Sequence, residues 1–147
     1  MRHTVSKMLV GIDGSDHSFI AAEYAIEIAR NYKAELFAVT VTYIPDKFRV
    51  SQMEVIEEKA GLSEMEAAKT WFETFTQRAK KNEIDLRTEL INSHRPVDYV
   101  ILEFAEKEHI DLIIIGTRGR TGLGKLLLGS IASGIVTYSH CPVLVVK

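Results

Sequence analysis

The stretch GTRGRTGLGKLLLGS, Gly116 to Ser130, places five glycines and three cations directly after the apolar run that ends at Ile115. Two explanations compete for it: a phosphate cradle, or a long surface connection. Glycine lets a backbone approach an anion closely and adopt positive φ. A helix that begins near Gly129 and Ser130 offers unpaired N–H groups and a partial positive charge, and Ser130 adds a hydroxyl donor. Each helix-end contribution is only roughly 0.3–1 kcal/mol, and up to ~2 when partly buried, so several amides must act together. Arg118, Arg120 and Lys125 are available to neutralise charge, or they form a solvated face.

Within the stretch, GRTGLGKL fits G-x-x-x-x-G-K, but Leu126 stands where a P-loop needs Ser or Thr to hold magnesium. It also follows a fourth strand, leaving too few residues for a P-loop core. The dinucleotide fingerprint G-x-G-x-x-G is absent. Among the other chemistry-bearing residues, the five histidines show no metal-ligand spacing. His17 lies close to Asp13 in sequence. Cys141 is single and precedes Pro142, which reads as an inert thiol at a helix–strand junction. Ser15 and Ser18 have no evident His–Asp set for a hydrolase triad. Asp13, in DGSD, is either a turn residue or a ligand contact.

The elements that must carry these residues follow from periodicity. Lys7–Asp13 reads as a first buried strand, and Ala34–Tyr43 as a second. Between them, Phe19, Ala22, Ala25, Ile26 and Ala29 are spaced for one helix face, capped by Ser15 or Asp16. From about Ser51 to Lys81, Met53, Ile56, Ala60, Met65, Ala68, Phe72, Phe75 and Ala79 form a stripe facing a sheet, with Gly61 a point of bending or breakage. Ile84–Asn92 alternates as an outer strand does. Pro96 suits the first turn of a helix through about Glu108. DLIIIGT is a fourth strand buried on both faces, SIASGIVTYSH a short helix, and PVLVVK a fifth strand. Alternating strands and helices predict a single α/β domain over residues 1–147, with an open parallel five-stranded sheet and helices on both faces. Ligands in such sheets sit beyond the carboxyl ends of the strands.

The 147 residues suffice for one core, and 46% hydrophobic with 26% charged residues is the profile of a globular protein. A net charge of −2 speaks against a bulk nucleic-acid or anionic-membrane binder, and no apolar run is long enough to span a bilayer. One cysteine and no signal-peptide pattern lead to the expectation of a cytoplasmic protein.

The spacing Gly116, Gly119, Gly129, Ser130 meets the pattern G-x2-G-x9-G-(S/T). Together with VGIDGSDHS at the first strand end and the closing CPVLVVK, the sequence resembles the universal stress protein family, specifically its ATP-binding branch. The resemblance covers essentially all 147 residues. It implies strand order 3-2-1-4-5, an adenine nucleotide alpha hydrolase-like arrangement. It implies ATP held by Gly116, Gly119, Gly129 and Ser130, helped by the amides of Thr117, Arg118 and Ile131. Asp13 then approaches the adenosine, the backbone near Val41 holds adenine, and Gly11 is the small residue against the nucleotide. Magnesium, or manganese, would arrive on the phosphates. A regulatory stress-response protein is the function implied. A slow ATPase or autophosphorylating phosphotransferase on the same site is the alternative, and a vestigial pocket on an interaction module is a third. A homodimer through the apolar C-terminal strand is also implied; the downstream partner is not.

Overall fold

The structure is a computed structural model that describes residues 4–43, 52–117 and 128–147, with the backbone alone at 52–65. Among the described residues nine elements alternate: β1 (Lys7–Gly11), α1 (Asp16–Tyr32), β2 (Glu35–Tyr43), α2 (Gln52–Lys81), β3 (Leu86–Ser93), α3 (Val97–Lys107), β4 (Leu112–Gly116), α4 (Ser130–Tyr138) and β5 (Val143–Val146). The five strands form one parallel sheet in the order β3-β2-β1-β4-β5. The expected α/β class and strand order are therefore present.

Period two along the strands divides the core between the two faces of the sheet. Met8, Val10, Leu36, Ala38 and Ile114 pack with α1 and α2 on one face. Leu9, Phe37, Val39, Ile113 and Ile115 pack with α3 and α4 on the other. Both flanks of the central strands are covered, which is why β1 and β4 read as unbroken apolar runs. α1 approaches the sheet through Ser18, Ala21, Ala22, Ala25, Ile26 and Ala29, mostly small residues. Phe19, expected on that face, is instead 38% exposed and meets Trp71 edge-on at 6.3 Å. The small residues one turn around the helix bring the backbone closer to the strands, and a phenyl ring fits only at the margin. Ser15, not Asp16, caps α1, its hydroxyl accepting from Ser18 N–H at 3.2 Å.

α2 runs without interruption through Gly61, so that glycine does not end the helix. Its C-terminal half buries Ala68, Phe72, Phe75 and Ala79 as the spacing requires; the side chains of Met53, Ile56, Ala60 and Met65 lie outside the described residues. Pro96 takes the N-cap position of α3.

Asp111 ties the start of β4 to the start of β1. Its Oδ2 accepts from Ser6 N–H, the Ser6 hydroxyl and Lys7 N–H, each at 2.9 Å, while its own N–H donates to Lys7 O at 2.8 Å. Burial pulls its pKa up, but those hydrogen bonds and the Lys7 charge outweigh that pull and hold the carboxyl below its ordinary value of 3.8. A carboxylate depressed by folding stabilises the native state above the unfolded pKa, and that stabilisation is lost as pH falls through the folded value. Asp111→Ala is accordingly expected to destabilise the protein at pH 7 by roughly 1 kcal/mol, the low end for charged hydrogen bonds because water reaches the site. Urea midpoints measured across pH should show the gap between variant and wild type narrowing below pH 3.8.

Candidate functional site

The backbone diverges at the carboxyl ends of β1 and β4. From β1 it turns to α1 on one face; the next helix after β4, α4, lies on the other. A cavity of about 300 Å³ opens at this switch point, at the small end of the range for ligand pockets. It is lined by Gly11 to Asp13 at the end of β1, by Ser18 of α1, by Val39 to Tyr43 of β2, by Val97 and Ile101 of α3, by Ile115 to Thr117 at the end of β4, and by Gly129 to Ala132 at the start of α4.

The β2 wall arises from unequal strand lengths. β1 pairs with β2 as far as Gly11 opposite Val39, and β2 continues to Tyr43. Ile12 N–H donates to Val39 O at 2.9 Å, so Val39 presents its backbone polar edge toward β1. By strand alternation Val41 presents its N–H and C=O to the same side. There β1 has ended, and the Ile12 carbonyl is taken by the Thr40 hydroxyl at 2.8 Å. The Val41 backbone thus faces the cavity with a donor and an acceptor, as an adenine edge requires.

The opposite wall is the start of α4. Its N-cap is Gly129, extended at φ −60°, ψ 162°, which supplies no capping hydroxyl or carboxylate, and the helical ladder begins with Ser133 N–H to Gly129 O at 2.9 Å. The amides of Ser130, Ile131 and Ala132 precede that bond and receive no carbonyl from the helix itself. They stand where an anion is stabilised by both hydrogen bonds and the helix dipole.

Asp13 lies between these walls. Its Oδ1 accepts from Ser15 N–H at 2.9 Å and from the Ser15 hydroxyl, so it closes the turn that caps α1 while lining the cavity. Asp13 is therefore a turn residue that also lines the cavity.

Several expectations need correction. The Thr117 amide is occupied: it donates to Val146 O at 2.9 Å, extending the β4–β5 ladder. Gly129 N–H donates to Thr117 O at 2.8 Å. Neither amide is left for a ligand, and the donor set shifts into the first turn of α4. Positive φ is not what Gly11, Gly116 and Gly129 supply either; among the described glycines only Gly14 shows it, at 84°. Gly116 is required for a different reason. A β-carbon there would stand 2.9 Å from His17 Cβ and 3.0 Å from the His17 carbonyl carbon and oxygen, so the glycine admits the first turn of α1 against the end of β4. His17 packs at this crossing, with Nδ1 buried and unpartnered, and is not among the pocket's lining residues. Gly11 is under no such constraint: a β-carbon would meet Ile115 and Ile101 at 3.7 and 3.8 Å, ordinary contact. Arg118, Gly119, Arg120 and Lys125 lie outside the described residues.

Sequence reasoning did not single out Thr40, Thr42, Val97, Ile101 or Ala132, which also line the cavity. The signal available for the threonines was hydroxyls near the end of a strand otherwise apolar; Thr42 hydrogen-bonds Asn92 across to β3. Among the described residues no group of His, Cys, Asp or Glu is placed to hold a metal ion. Burial pushes the Cys141 thiol above its ordinary value, outweighing a hydrogen bond from Ser139, so it is a poor nucleophile at neutral pH. No helix among the described residues is long and apolar enough to cross a membrane.

The model of the universal stress protein family matches residues 4–147. The universal stress protein MJ0531 of Methanocaldococcus jannaschii is 37% identical over 144 residues, an alignment spanning 96% of the present sequence and 81% of that protein. The solved structure of UspA from Lactobacillus plantarum superposes with a TM-score of 0.87 at 24% identity, over 99% of the present sequence and 100% of that protein. Three more distant structures of the same fold are a universal stress protein in complex with cAMP, one from Archaeoglobus fulgidus with dAMP, and one from Arabidopsis thaliana with AMP bound. They are 24%, 21% and 15% identical, with TM-scores of 0.66, 0.64 and 0.65; the superpositions span 98%, 99% and 97% of the present sequence and 98%, 100% and 91% of theirs.

The two glycines make a paired test of the packing argument. Gly116→Ala is expected to cost roughly 1–3 kcal/mol because helix backbone cannot swing aside, whereas Gly11→Ala should stay within about 0.5 kcal/mol. Denaturant midpoints of the two variants check this.

Proposed function

Because the protein belongs to the universal stress protein family, we propose that it binds ATP in the cavity between β1 and β4 and acts as a nucleotide-dependent regulatory protein. The observation that carries this reading is the pairing of two unfilled polar edges across one cavity: the Val41 backbone on one wall and the amides of Ser130, Ile131 and Ala132 on the other. Adenine takes the first, phosphates take the second, and Asp13 reaches the ribose between them. Gly11 puts no β-carbon toward Ile101 and Ile115 of the cavity wall, and the Ser130 hydroxyl adds a phosphate contact. The AMP, dAMP and cAMP of the three distant structures give the same ligand chemistry on the same fold. The spacing Gly116, Gly119, Gly129, Ser130 favours a triphosphate over a monophosphate. Magnesium arrives on the phosphates, since Asp13 is the only carboxylate lining the cavity among the described residues. That carboxylate stands at the nucleoside end, which favours retention of ATP over its turnover.

Binding to the native state alone stabilises it by about 2.7 kcal/mol at 100 times Kd. For a domain of this size that is a rise in Tm of roughly 8 °C, read by thermal shift with ATP and magnesium. Ser130→Pro separates the two ends of the ligand. Proline is tolerated at the first helical position, and Gly129 already has the extended backbone that a following proline demands. The variant loses one amide and one hydroxyl, so ATP affinity should fall at least about tenfold while adenosine affinity is unchanged. No stabilisation of the wild type by millimolar ATP would remove the reading.

The family assembly proposed is a homodimer through β5. Val143, Leu144 and Val145 are only half-buried, and β5 lies at the sheet edge. Pro142 O accepts from Ile113 N–H and Val146 O from Thr117 N–H, so by alternation Val143 and Val145 direct their amides outward. Val145→Pro removes an outward amide while keeping the β4 ladder, and is expected to convert a dimer to a folded monomer by light scattering.

A further inference from the structure

We propose that Trp71 is a positioning residue for the cavity: its indole holds the β1–α1 turn from outside and thereby fixes the Asp13 carboxylate inside. The inference rests on the ATP reading for its functional meaning, and on geometry for its existence. Gly14 is left-handed at φ 84°, and a β-carbon on it would stand 2.1 Å from Trp71 Cζ2 and 2.4 Å from Cη2. The six-membered ring of the indole therefore lies directly on the Gly14 backbone. A glycine at this point satisfies both the backbone conformation and the approach of the ring.

The turn itself is short and hydrogen-bonded internally. Asp13 Oδ1 accepts from Ser15 N–H, and Ser15 in turn caps α1. A displacement imposed at Gly14 passes to Asp13 and Ser15, because the intervening bonds leave no slack. Trp71 belongs to α2 and is not among the residues lining the nucleotide cavity. It faces a second cleft of about 260 Å³, and Ile12 walls both spaces. The indole is steadied by Phe19, edge-on at 80°. A shift of the turn therefore moves the surface on which the ring rests. α2 thus registers what touches Asp13.

Trp71 is the single tryptophan of the sequence, which makes the contact directly observable. The first arm uses no ligand: Asp13→Ala releases the turn, and the emission of Trp71 is expected to shift relative to wild type in the free protein. An unchanged spectrum overturns the proposal. The second arm is a double-mutant cycle in ATP affinity. Trp71→Ala should weaken binding about tenfold in the wild-type background and by less than about twofold in the Asp13→Ala background, because coupled residues are non-additive. Equal losses in both backgrounds would mean that Trp71 supports the fold generally and does not act through Asp13. Wild-type protein that fails to bind ATP would remove the nucleotide reading, and the spectral arm would still decide whether indole and turn are coupled.

Discussion

The constraint on which the site depends is that neighbouring strands of this sheet stop at different heights. β2 runs on through Thr40 to Tyr43 after its β1 partner has ended at Gly11. A buried backbone donor and acceptor without a strand partner are costly unless something else satisfies them. At Val41 nothing in the ladder does so on the β1 side, and the backbone instead folds away at Asp13. The same divergence places the start of α4 across the gap, again with amides that the helix cannot pair. A cavity bounded by two such edges is polar at two opposed walls and apolar between them, through Ile12, Ile101 and Ile115.

The glycines show how one residue type serves distinct physical needs. Gly116 admits the backbone of α1, and Gly14 combines a left-handed turn with the face of an indole. Gly134 lets α4 come close to α3, since a β-carbon there would stand 2.1 Å from Asp98 Oδ2. Gly129 begins a helix and contributes no capping group of its own, which leaves the first-turn amides unclaimed. The physical reason for a glycine therefore differs from one position to the next and is set by what packs against it.

The two edges of the sheet are managed differently. β3 carries Arg87, which pairs with Glu35 at 2.6 Å and lies over the Phe37 ring at 6.0 Å. Charge on an outer strand discourages pairing with another sheet. β5 has no such guard; Val143 to Val146 are all aliphatic. An open sheet in which one edge is charged and the other apolar has a built-in direction for association.

From the sequence alone, the order and type of every element were legible, because period two and period 3.6 in apolar residues follow directly from what each element buries. Of the residues named as a set, Gly11, Asp13, Val41, Gly116, Thr117, Gly129, Ser130 and Ile131 line one cavity; Arg118 and Gly119 lie outside the described residues. Composition and spacing could not decide which polar groups remain available there. The Thr117 amide is consumed by Val146, far on in the sequence, and the Gly129 amide by Thr117. Nor could they show that Trp71, in the middle of a helical stripe, lies on Gly14. Hydrogen-bond occupancy and close approach are properties of residues distant in sequence, so they exist only once the sheet has fixed its register and the helices have docked.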